Sequence, residues 1–164
     1  MYILISTIWK TILVFKSIII MKTYQGKINQ LESNQIFVFG SNPIGIQGAG
    51  SALFAVKRGW CSRDEKMNNC FSKAGKAYGL VTVTGPGKKR SKTPDDIRKN
   101  IYKLYEIANK YPEKEFLIAY TGKDNYNLNG YANWELADMF SFFDIPKNEI
   151  GRAHVWTPVT LIYL

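Results

Sequence analysis

The sequence predicts an α/β fold, a largely parallel or mixed sheet covered by helices, on three observations. Ile36 to Phe39 and Glu115 to Tyr120 are short, continuous apolar runs, and Gly79 to Thr84 is rich in β-branched residues; all three read as strands, the apolar runs as buried ones. Segments between and after them carry apolar residues at helical spacing. Glycine and proline punctuate the junctions. Strands that alternate with helices belong to this architecture.

Residues 1–20 are apolar but interrupted by Lys10 and Lys16. They read as upstream sequence translated ahead of a start at Met21. A membrane anchor is the alternative, weakened because Lys16 would lie well inside a span of about 20 residues. From Met21 to Glu149 nothing resembles a linker, so residues 21–149 are expected to form one domain. Tyr24 to Ile28 reads as a first strand, and Asn29 to Gln35 as a polar turn. Ile36 to Phe39 is a strand ended by Gly40, followed by a loop to Gly48 and a helix from Ala49 to Arg58. Trp60 to Gly75 reads as a polar connection with a short helix around Glu65 to Phe71. The strand Gly79 to Thr84 leads to a basic loop, Gly85 to Thr93.

Thr93-Pro-Asp-Asp is a helix start: Thr93 caps, Pro94 takes the first helical position, and Asp95 and Asp96 face the positive end of the dipole. The helix runs to about Lys110 with the stripe Ile97, Ile101, Leu104, Tyr105 and Ala108. After the strand Glu115 to Tyr120 come a polar loop, Thr121 to Gly130, and an amphipathic helix, Asn133 to Phe143. Residues 150–164 are set apart. Ile150 to Thr160 reads as a translated sequencing-library adapter, with UGA read as Trp156, which implies that the native C-terminal segment is missing. A genuine strand from Ala153 to Tyr163 is the alternative that β-propensity allows.

Lys and Arg number 22 against 13 Asp and Glu, a net charge of +9. That balance favours phosphate-bearing partners. The only histidine, His154, falls in the adapter-like stretch, which argues against His-based metal sites and against Ser-His or Cys-His pairs. Cys61 and Cys70 are too few for a disulfide framework and form no CxxC knuckle; without a partner base they read as structural. No cofactor and no metal is expected, and the domain is expected to be cytoplasmic, with no membrane association if Met21 is the start.

Two strand-to-helix turns carry the chemistry. Phe39-Gly-Ser-Asn-Pro-Ile-Gly-Ile-Gln-Gly-Ala-Gly50 combines close-approach glycines with the free N–H groups of a helix start, which attract anions. It matches neither the Rossmann nor the P-loop pattern. The alternative is a tight turn whose glycines serve packing, with Asn42 capping it. Ala119 to Tyr131 is the second turn: Gly122 and Gly130 supply backbone, Asn127 and Asn129 amide donors, and Tyr126 and Tyr131 stacking faces. Ligands of open α/β sheets bind beyond the carboxyl ends of strands. A third feature, Gly87-Lys-Lys-Arg-Ser-Lys92, is a basic loop. Nucleic-acid binding there is not favoured, because no aromatic residue interleaves with the charges.

Residues 21–149 resemble macro-like proteins of bacterial and phage genomes. The carriers are Phe37-Val-Phe-Gly-Ser-Asn42, Gly48-Ala-Gly50, Thr93-Pro-Asp-Asp-Ile97, Glu115 to Gly122 and Asn127-Leu-Asn-Gly-Tyr131. A more distant resemblance reaches the macrodomains, which bind ADP-ribose and fold as a three-layer α/β/α sandwich with a mixed sheet. Gly26-Lys-Ile-Asn29 looks like their Gly-Asp-Ile-Thr opening, and Asn42 stands where they carry a ribose-orienting asparagine. The resemblance implies ligand contacts from Gly40, Ser41, Asn42, Gly45, Gly48, Ala49 and Gly50 in one loop. The second, pyrophosphate-cradling loop would supply Thr121, Gly122, Asn127, Asn129, Gly130 and Tyr131. Lys27 replaces the aspartate that recognises the adenine amino group, Ile46 and Gln47 interrupt the glycine run, and Lys123 to Asn127 enlarge the second loop. The implied partner is therefore an ADP-ribose-like or NAD-derived nucleotide. If an ADP-ribosyl bond is hydrolysed, the expected catalytic residues are Asn42, positioning water with the substrate phosphate, and Asp124 as general base. The rival reading is a non-enzymatic interaction protein that keeps the fold without the pocket.

Overall fold

The computed structural model describes Thr23–Gln25, residues 28–120 and Val159–Tyr163. The segment 1–20, Gly26 and Lys27, the second loop at 121–131, the helix expected at 133–143 and residues 150–158 lie outside the described residues.

The strand Gln35–Ser41 (β2) sits between two parallel neighbours, Ala77–Val81 (β4) and Glu115–Tyr120 (β5). Its register runs Phe37 beside Ala77 to Ser41 beside Val81 on one side, and Gln35 beside Glu115 to Val38 beside Ile118 on the other. The strand extends past Gly40, where the sequence suggested a stop. Pairing on β4 holds Gly40 beside Leu80, so glycine's low strand preference is overridden by the ladder. A short strand Thr23–Gln25 (β1) pairs with Val159–Tyr163 (β6), and β6 pairs with β5, all parallel. The full order is β1-β6-β5-β2-β4-β3, where β3 is the antiparallel Cys70–Phe71. The sheet is therefore mixed. The strand that β-propensity allowed at Ala153 to Tyr163 is present over its second half, as β6.

β3 corrects one expectation. No helix forms around Glu65 to Phe71. The Glu65 carboxylate instead accepts from the backbone N–H groups of Ser62 and Lys73. Asn69 turns the chain at φ 54°. A hairpin then joins β3 to β4: Ser72 N–H donates to Ala77 O at 2.8 Å, and Ser72 Oγ accepts from Ala77 N–H at 3.1 Å. This hairpin and the β2 register start β4 at Ala77, two residues before the expected Gly79. Among the described residues, only Thr82 N–H reaches the β2 ladder beyond Val81, at Ser41 O, and Val83 and Thr84 find no partner strand there.

Alternate residues of the central strands face opposite ways, and each face has its helix. Ile36, Val38, Tyr78, Leu80, Phe116 and Ile118 pack with Ile97, Ile101, Leu104, Tyr105 and Ala108 of Pro94–Lys110 (α2). Phe37, Phe39, Ala77 and Leu117 pack with Ala52 and Ala55 of Gly50–Lys57 (α1), together with Trp60 and Met67. Each fully buried Leu, Ile or Phe contributes about 1.5–3 kcal/mol relative to exposure. The α1 layer is aromatic, with Phe37 5.1 Å and Phe54 5.7 Å from the Trp60 ring. α1 ends where Gly59, at φ +71°, takes the left-handed position that a side chain would strain. α2 begins as the sequence predicts: Thr93 accepts from Asp96 N–H while the Asp96 carboxylate accepts from Thr93 N–H.

Candidate functional site

β2, β4 and β5 run parallel, so their carboxyl ends emerge at one edge of the sheet. Ser41 lies beside Val81 there. The strand that leads to Gly122 ends at that same edge, although Gly122 itself, with Thr121, Asp124, Asn127, Asn129, Gly130 and Tyr131, lies outside the described residues.

The first loop folds by alternation. Asn42, Gly45 and Gln47 turn inward and are buried, while Pro43, Ile44, Ile46 and Gly48 face outward. Asn42 holds this shape. Its Oδ1 accepts from the N–H groups of Ile44 and Gly45, both at 3.1 Å, and its Nδ2 donates to Ile46 O at 3.0 Å. This is the side-chain-mimicked turn that asparagine forms readily. Gly45 serves the same end: its φ is +89°, and a Cβ there would lie 2.7 Å from Lys66 Cγ. Asn42 and Gly45 thus build the loop; beyond them Gly48 is exposed, and Ala49 and Gly50 are half-buried. Gly40 is a β2 residue, and Ser41 is buried with its Oγ 3.3 Å from Gln47 Nε2.

The stretch Gly48 to Gly50 opens α1. Ala49 is the N-cap residue, extended at φ −151° and ψ 168°, with no side-chain hydrogen bond to the helix and no acidic residue in the first turn. α2 differs on both counts, having a reciprocal cap and Asp95 and Asp96 in its first turn. The partial positive charge at the start of α1 is consequently neutralised by nothing in its own first turn.

Three residues that matter here were given no role by the motif reading. Gln47 is fully buried; its Nε2 also donates to Glu65 O at 3.1 Å, and among the described residues its Oε1 has no partner. Asn69 and Asn100 fix the end of β4. Asn69 Oδ1 accepts from Val81 N–H at 3.0 Å, and Asn100 Nδ2 donates to Val81 O at 2.8 Å. A polar residue inside the apolar stripe of α2, one turn from both Ile97 and Leu104, was the available signal for Asn100.

Neither cysteine makes a nucleophilic site. Burial, and secondarily the Glu65 charge, push the Cys61 thiol up to about 12. Cys70 is exposed on β3. Among the described residues no three His, Cys, Asp or Glu side chains are grouped to hold a metal ion, and no helix is long and apolar enough to cross a membrane. No protein-family model matches the chain, and no curated protein is significantly similar to it.

Proposed function

We propose that this protein binds a phosphorylated, ribose-containing nucleotide of the ADP-ribose or NAD-derived class at the carboxyl edge of its sheet. The observation that carries the reading is the start of α1: an uncapped helix N-terminus, entered through Gly48-Ala49-Gly50 at the strand ends. Such an arrangement accepts an anion without further help. A mixed sheet with a helix on each face supports reading the fold as a three-layer α/β/α, macrodomain-like sandwich. The net charge of +9 favours the same ligand class.

In this reading Asn42 acts first as the brace of the loop, since all three of its side-chain hydrogen bonds stay within it. Hydrolysis of an ADP-ribosyl bond, with Asn42 orienting water and Asp124 as base, is the catalytic extension of the same proposal. Isothermal titration of the folded protein with ADP-ribose and with NAD tests binding. A saturable heat with either supports the reading, and no heat with both overturns it.

A further inference from the structure

We draw no further inference here: the strongest candidate, the buried Gln47 amide held between Ser41 at the end of β2 and Glu65 O, with its Oε1 unpartnered among the described residues, carries nothing because no cavity or ligand-facing group is shown beside that atom.

Discussion

Asn69 donates its side-chain amide to Asn100 Oδ1 across 2.9 Å, and the pair grips Val81 by both its backbone N–H and its C=O. β4 therefore ends in a clamp made by the residue that leads into β3 and by the helix that follows β4. The clamp fixes where the loop carrying Gly85 and Lys88 leaves the sheet.

Removing either member leaves buried polar groups of the other and of Val81 unpaired, which costs about 1–3 kcal/mol. Asn69→Ala and Asn100→Ala should each lower stability by that order in urea denaturation. The double variant should cost less than the sum, with a coupling of about 0.5–3 kcal/mol. Strict additivity would show that the two amides act separately.

Gly79 is required by space. A Cβ at this position would collide with Met67 Cβ and lie 2.8 Å from Met67 O and 3.2 Å from Ser41 Cβ. Gly79→Ala should destabilise by about 1–3 kcal/mol, the usual cost of overpacking. Met67→Ala should not rescue it, because the colliding atoms survive that truncation; rescue would place the strain elsewhere in the Met67 side chain.

The α2 cap sets a pH dependence. The side-chain and backbone hydrogen bonds from Thr93 hold the Asp96 carboxyl below its ordinary value of 3.8. A depressed folded-state value means stability that is present above the unfolded value and lost as pH falls through the folded one. Asp96→Asn should flatten that part of the acid limb in a stability–pH profile, and Thr93→Ala should cost about 1 kcal/mol at neutral pH. Identical acid limbs for wild type and Asp96→Asn would count against the cap as a contributor.

The two thiols should separate cleanly. Cys70 is exposed and Cys61 buried, with its thiol pushed up to about 12. A disulfide reagent at mildly alkaline pH should modify one thiol in the folded protein and two after denaturation, and Cys70→Ser should abolish the fast reaction. Fast modification of Cys61 in the native state would contradict its burial. The raised value also predicts that its contribution to stability is intact below about 9 and lost as pH climbs toward about 12.

Much of the fold was legible where local signals and tertiary demands agreed. α2 has its stripe, its Thr93 cap and its Pro94 in register, and its observed bounds follow. β5 was legible as an apolar run. β3 and the start of β4 were not, because Cys70 and Phe71 become a strand only through pairing with Gly79 and Tyr78, which no local pattern reveals. In the site, the glycine loop was visible as a motif, and the capping of its turn by Asn42 was visible as the alternative reading, but the inward turn of Gln47 was not. Whether an amide faces a ligand or its own loop depends on backbone angles that composition does not encode. The uncapped state of α1 was half visible: Ala49 offers no side-chain oxygen, and Gly50, at φ +54°, sits just inside the helix.

That feature permits the most direct test. Ala49→Asp would place a carboxylate at an extended N-cap position, which should stabilise α1 by about 0.5–2 kcal/mol while occupying the N–H groups meant for the ligand's phosphate. Titration of ADP-ribose into the wild type and into Ala49→Asp, with stability measured in parallel, should show binding that is lost in a variant more stable than its parent. Equal affinity in the two proteins, or no binding by the wild type, would contradict the account.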